Sequence, residues 1–166
     1  MSSGDQGKQT KVRILMGSKS DAETMKHCQD LLSEFGVSNE VRVLSAHRTP
    51  AEVVEWVSEA RDCGVQVIIA AAGLAAHLAG VCAAHTTLPV IGVPMDGGPL
   101  NGFDALLSTV QMPKGTPVAS VAIGRAGAVN AALLALRILA LSDSVIAQKV
   151  ADHQVSLATE VLEAGI

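Results

Sequence analysis

Aromatic side chains are almost missing from this chain: its 166 residues include no tyrosine, one tryptophan and two phenylalanines. Charge is scarce as well, at 17% of residues against 49% hydrophobic. A lone monomer has difficulty covering that much apolar surface with so few charges, and association into an oligomer is the simplest remedy. Massed basic residues are also lacking. With a formal net charge of −4, the chain does not carry the clustered Lys and Arg that nucleic acid or an anionic membrane selects. The cysteines Cys28, Cys63 and Cys82 are odd in number and widely spaced, with no C-x-x-C pair, which argues against a disulfide framework or a zinc site. They read as reduced, small apolar side chains of a cytoplasmic protein.

No apolar run is long enough for a bilayer. The longest, 126–141, is interrupted by Asn130 and Arg137. Residues 1–10 are polar, lack the apolar segment of a leader, and read as a disordered tail ahead of a single domain over 11–166. A domain of this size buries roughly two thirds of its unfolded surface, enough for a core without metal or disulfides. The G-x-x-x-x-G-K-[ST], G-x-G-x-x-G and G-x-S-x-G patterns are absent, so P-loop, dinucleotide and α/β-hydrolase readings lose support. No H-x-x-x-H pair or carboxylate cluster supports a metal.

What is present is alternation. From Val12 onward, apolar runs at 11–16, 40–45, 65–72, 88–94 and 118–124 are separated by segments of helical periodicity, the pattern of βα units around a parallel sheet. The run at 65–72 is apolar on both faces, as a central parallel strand requires. Ser20 with Glu23 reads as a capping box for a first helix ended by Gly36. Thr49, Pro50 and Glu52 read as N-cap, first helical residue and box partner of a second. An Ala/Leu-rich helix over 126–141 and a last helix from Ser142 or Asp143 to Glu163 complete the chain. We expect an α/β three-layer sandwich with a five-stranded parallel sheet of flavodoxin-like order 2-1-3-4-5 and an added C-terminal helix.

In such a sheet, ligands sit beyond the carboxyl ends of the strands, where three polar loops converge here. After strand one, Gly17, Ser18 and Ser20 precede a helix start whose unpaired N–H groups suit an anion such as phosphate. Arg48, after strand two, can clamp the same group with its planar fork. Asp21 tolerates a phosphorylated ligand if it accepts hydrogen bonds from neutral hydroxyls such as a ribose diol. A plainer reading stays open: these are ordinary helix-start residues, and Arg48 a surface cation. His47, flanked by Ala46 and Arg48, is a candidate acid/base held neutral by the neighbouring cation, or else a helix cap. His77, after strand three, either hydrogen-bonds within its loop or contacts a ligand. His27, His85 and His153 read as structural or solvent-facing.

The segments MGSKSD, SAHRTP, AAHLAG, LPVIGVP, DALLSTVQMPKGTPVASVAIG and NAALLALRILAL, in this order and at these intervals, closely resemble the N5-carboxyaminoimidazole ribonucleotide mutase family of purine biosynthesis. The likeness covers residue 11 to about 150. It implies a cytoplasmic homo-octamer with a site at each subunit junction, acting on a phosphorylated aminoimidazole ribonucleotide. The activity it implies moves a carboxylate from the exocyclic nitrogen to ring carbon C4 with no metal, ATP or organic cofactor. Carried over residue by residue, it gives Ser18 and Arg48 the phosphate, Asp21 the ribose hydroxyls, and His47 the acid/base role. Ser45, Gly73 and His77 would line the pocket around the imidazole. This chain departs from the family pattern in the third loop, with Ala71, Leu74 and Ala79 where relatives often carry Gly, Gly and Pro. A related branch carboxylates the parent amine directly with CO2, and usually has lysine where this chain has Arg48. A noncatalytic nucleotide-binding module is the alternative from another class.

Overall fold

The computed structural model describes residues 9–165, so most of the expected tail at 1–10 lies outside the described residues. Gln9 is tied down: its side chain donates to Cys63 O and its carbonyl accepts from Ser38 Oγ. In chain order the elements are β1 (Val12–Met16), α1 (Ala22–Glu34), β2 (Asn39–Val43), α2 (Pro50–Ser58), β3 (Val67–Ala72) and α3 (Leu78–Ala84). They continue with β4 (Val90–Pro94), α4 (Phe103–Val110), β5 (Ala119–Ser120), α5 (Gly124–Ala140) and α6 (Ser144–Glu163). The five strands form one parallel sheet in the order β2-β1-β3-β4-β5, with Ile14 of β1 paired to Val41 on one side and Ile69 on the other.

The period-two alternation of strand side chains divides the core into two layers. Val12, Ile14 and Met16 of β1, with Val67 and Ile69 of β3, meet Met25, Cys28 and Leu32 of α1 and the small residues Ala128, Ala131, Ala132 and Ala135 of α5. On the other face, Leu15, Ile68 and Ala70 meet Val53, Trp56 and Val57 of α2 with Leu78 and Cys82 of α3. Arg13 alternates onto this second face and is only 4% exposed. Its Nε and Nη2 each reach a carboxylate at 3.2 Å, Glu40 and Glu59, Nη1 donates to Trp56 O, and the guanidinium lies 4.6 Å from the Trp56 ring centre. Every charge-bearing face of this arginine thus has a partner, which is what permits it inside.

Close approach of helices to the sheet depends on missing β-carbons. One built on Gly92 in β4 would sit 2.3 Å from Thr109 Cγ2 of α4, and one on Gly127 in α5 would sit 1.7 Å from Ala122 O.

Several expectations are corrected. The capping box is formed not by Ser20 with Glu23 but by Ser18 with Asp21, on the turn that precedes α1, while α1 itself makes no side-chain cap bond: Ser18 is extended (φ −147°), its side chain accepts from Ser20 N, and Asp21 reaches back to Ser18 N. A one-turn 3-10 segment, Lys19–Asp21, leads into α1. Pro50 opens α2 as expected, but Thr49 makes no side-chain cap bond there. Its hydroxyl is engaged by Ser45, accepting from Ser45 N at 2.9 Å, so Glu52 has no box to complete. The fifth strand is two residues rather than 118–124, because after Val121 N donates to Gly92 O the chain turns at Gly124, whose φ is +67°. Cys63 is exposed, unlike Cys28 and Cys82, whose thiols burial pushes up to about 12.

The C-terminal helix is present, with the Asp143 side chain accepting from Val145 N and Ile146 N at 3.0 and 3.1 Å. Ile146 and Val150 of α6 rest on the first core, and Lys149 Nζ donates to Phe35 O at 2.8 Å. Val145, Val155, Leu157, Val161 and Leu162 of the same helix stay exposed. Among the described residues, no helix is long and apolar enough to cross a membrane.

Candidate active site

The loops after β1, β2, β3 and β4 enclose a cavity of about 650 Å³ at the carboxyl ends of the strands. All seven residues singled out from the sequence, Ser18, Asp21, Ser45, His47, Arg48, Gly73 and His77, line it. The β1 loop enters through Gly17, whose N–H donates to Ala71 O at 2.9 Å, and presents Ser18 and Ser20 at the helix start. Ser20 Oγ lies 2.9 Å from Ser18 Oγ and 3.2 Å from Asp21 Oδ1, while Ser18 N donates to Asp21 Oδ2 at 3.1 Å. Arg48 spans from the β2 loop to this one, donating from Nη2 to Gly17 O at 3.1 Å. Its cation therefore stands beside the hydroxyl cluster before any anion arrives, a preorganised arrangement.

Ser45 shapes the second loop: its hydroxyl accepts from His47 N at 3.3 Å and from Arg48 N at 3.2 Å, which turns both side chains toward the cavity. His47 does not have Arg48 as its hydrogen-bond partner. Its Nε2 lies 2.8 Å from Nδ1 of His77, thirty positions away in sequence, with the rings edge to face at 5.0 Å between centres. The His77 ring thus reaches across to the β2 loop, and within its own segment only its backbone is engaged, through His77 N to Ala75 O. One of the two facing nitrogens donates and the other accepts, so the tautomers of the two rings are coupled at that contact.

Asp21 is nearly buried, and that burial raises its carboxyl above the 3.8 of an unburied aspartate, against the opposing pull of the Ser20 hydroxyl and the Ser18 N–H. A ligand hydroxyl donating to this group favours the ionised form. Affinity for a ligand diol that donates to Asp21 is therefore expected to fall as pH drops through the raised value, and Asp21→Asn is expected to abolish that pH dependence. Calorimetric titration between pH 4 and pH 7 checks it (about this range brackets carboxyl titration). An unchanged slope in the Asn variant would show that another group titrates.

The remaining wall comes from Leu74, noted in the sequence as a departure from the family pattern, and from residues the sequence did not single out, among them Ala72, Ala75 and Leu78 around the third loop and Met95, Gly97 and Gly98 after β4. Gly97 and Gly98 have no side-chain chemistry to announce them. The strand-end rule applied to β4 is the signal that would have found the loop. Of the three unusual third-loop residues, Ala71 and Ala79 are buried, and Leu74 alone lines the cavity. Among the described residues, no group of three or more His, Cys, Asp or Glu side chains could hold a metal ion.

Fold and site together define a doubly wound α/β protein with a cleft at the topological switch of its sheet, lined by a hydroxyl cluster, an arginine and an imidazole pair. The chain belongs to the AIR carboxylase family, whose model matches residues 11–160. It is 54% identical over 154 residues to the N5-carboxyaminoimidazole ribonucleotide mutase of Bacillus subtilis, covering 93% of this chain and 95% of that protein. The protein of the same name from Vibrio parahaemolyticus is 56% identical over 140 residues, covering 84% and 87%. In structure the chain is similar to Treponema denticola PurE, with a TM-score of 0.84 at 33% identity, covering 92% of this chain and 94% of that one.

Proposed function

We propose that this chain is an N5-carboxyaminoimidazole ribonucleotide mutase of purine biosynthesis, an isomerase that works without metal, ATP or organic cofactor. Relatives of that name, identical at more than half of the aligned positions, support the reading. The observation that carries its chemistry is the 2.8 Å contact of His47 Nε2 with His77 Nδ1 inside a cavity that also holds Arg48 and the Ser18 loop.

In this reading Ser18 and Arg48 hold the 5′-phosphate and Asp21 accepts from the ribose hydroxyls. Ser45, Gly73 and His77 surround the imidazole of the substrate. His47 donates a proton to the carbamate nitrogen; the N–C bond breaks, its electron pair stays on nitrogen, and CO2 is released in place. Ring carbon C4, made electron-rich by the adjacent amine, then attacks the CO2 carbon. His47, now deprotonated, removes the C4 proton, which restores the aromatic ring and returns the imidazole to its starting state. Holding both steps in one cavity favours recapture, because CO2 is released beside C4. The reading extends to a cytoplasmic homo-octamer, supported by the exposed apolar residues of α6 and by Phe103, Leu107 and Val110 of α4.

The description of the matched family favours a second reading, direct carboxylation of the parent amine. Offering each substrate separately distinguishes the two. The carbamate without added bicarbonate is expected to be converted, and the amine with CO2 at physiological concentration is not. Turnover of the amine alone would replace the mutase by the carboxylase, and turnover of neither would leave a binding module.

A further inference from the structure

Leu74 stands in a backbone conformation that leucine seldom takes. Its φ is +55°, in the left-handed region, where the Cβ of an L-residue crowds its own backbone. Such a residue persists where its surroundings hold it, and burial does not hold this one, since Leu74 is 54% exposed. Across from it is Gly98 of the β4 loop, with φ +86°. A β-carbon there would sit 2.4 Å from Leu74 Cδ2. The leucine side chain therefore lies on bare glycine backbone and bridges two loops that wall the cavity. Ala72, Ala75, Leu78 and Met95 add apolar surface to the same cavity, opposite in character to its serines, Asp21, Arg48 and the two histidines.

We infer that Leu74 is a retention residue, an apolar wall seated on Gly98 that slows escape of CO2 between the two halves of the reaction. The inference rests on the mutase reading. Between the steps, the carbamate N–C bond has broken with its pair on nitrogen, and the new C–C bond has not yet formed. The intermediate pair is the neutral amine and free CO2. CO2 at that moment either is attacked by C4 or diffuses out, and medium CO2 can take its place. The Leu74 side chain has no hydrogen-bonding group, so at that stretch of wall it offers water no foothold and leaves the linear, uncharged molecule in place. Leu74 touches no proton in this scheme and alters only the partition between recapture and escape.

The test supplies unlabelled carbamate in buffer containing 13C-labelled bicarbonate and CO2, and reads label in the product and free amine by mass spectrometry. The unmutated chain is expected to give almost unlabelled product. Leu74→Gly is expected to raise label uptake and amine release about tenfold, because recapture then competes with open escape. Its melting midpoint is expected to stay within about 3 °C, since relief at the left-handed backbone is offset by a freer unfolded chain. Leu74→Met, which keeps the apolar reach, is expected to retain CO2 like leucine. Should the glycine variant fail to fold, Leu74→Ala carries the same readout with an intermediate uptake.

Uptake in an active glycine or alanine variant equal to that of the unmutated chain would overturn the inference alone. A changed oligomer mass in sedimentation would overturn it too, by assigning Leu74 to a subunit contact. Failure of the unmutated chain to consume the carbamate would overturn the mutase reading and take the inference with it.

Discussion

Replacing His47 by Asn is expected to lower turnover about a thousandfold, within the range a positioned acid/base commonly supplies. In the proposed reading the phosphate and ribose contacts fall to Ser18, Arg48 and Asp21 and not to His47, so ribonucleotide affinity is expected to change by less than about threefold. Asparagine preserves a polar group of similar length but cannot shuttle a proton at neutral pH. Single-turnover kinetics on saturated protein, paired with calorimetry on the unreactive product, separates the two effects. A variant that turns over normally once bound would remove the imidazole from the chemistry. A noncatalytic binding module would lose nothing by the change. The partner ring matters for interpretation: an asparagine amide ends near the imidazole Nδ1 position, short of the Nε2 that stands 2.8 Å from His77 Nδ1, and because both residues are exposed water takes the lost partner's place.

The largest effect on stability is expected at Gly127. An alanine β-carbon there would stand 1.7 Å from Ala122 O and 2.7 Å from Ala122 C, with Val93 Cγ1 at 3.3 Å. The obstructing atoms are main chain, so no rotamer change relieves them, and either the first turn of α5 or the end of β5 must move by more than an ångström. Overpacking of a core commonly costs about 1–3 kcal/mol, and with backbone as the obstacle Gly127→Ala is expected near the top, about 3 kcal/mol. Urea unfolding at fixed protein concentration checks this, as a lower midpoint with unchanged slope. A loss below about 0.5 kcal/mol would show that the junction yields freely. The shift would also reach the cavity, because the same junction supports the β4 loop: a β-carbon on Gly124 would lie 3.3 Å from Asp96 Oδ2, and one on Gly102 would lie 2.7 Å from Ile123 Cγ2. Slower turnover is expected to accompany the lost stability.

The central strands were legible because they are buried on both sides, so β1, β3 and β4 announce themselves as continuous apolar runs whatever lies next to them. The edge was not. The segment 118–124 is as apolar as a core strand, yet only Ala119–Ser120 pair, since a left-handed Gly124 starts α5 early, and periodicity carries no information about where a chain turns. The capping box ahead of α1 shows a different limit. Ser18 with Asp21 and Ser20 with Glu23 fit nearly the same pattern two residues apart, and only the extended backbone of Ser18 decides between them. The start of α6 was open between Ser142 and Asp143, and the structure gives the cap to Asp143, whose side chain accepts from Val145 N and Ile146 N.

The site divides along the same line. Topology alone placed Ser18, Asp21, His47 and Arg48 at the strand ends and left His77 between its own loop and a ligand, whereas Ser45 and Gly73 came from the family resemblance; all seven line one cavity. What could not be read was which of them touch. The contact between His47 and His77 depends on the rise of two separate loops above β2 and β3, strands that are not even neighbours in the sheet. The position of Arg13 was equally hidden: in an apolar run a charged residue reads as an interruption, and only the carbonyl of Trp56 and the carboxylates of Glu40 and Glu59 explain why it is tolerated inside.

The brevity of β5 bears on how copies of this protein can meet. A sheet margin with only two paired residues offers too few free amides and carbonyls to template a further strand, and the opposite margin, β2, carries Glu40 and Arg42 along its length. Polymerisation through the backbone is thus discouraged at both flanks, and self-recognition is left to helical side chains, where a specific shape can limit the number of copies that join.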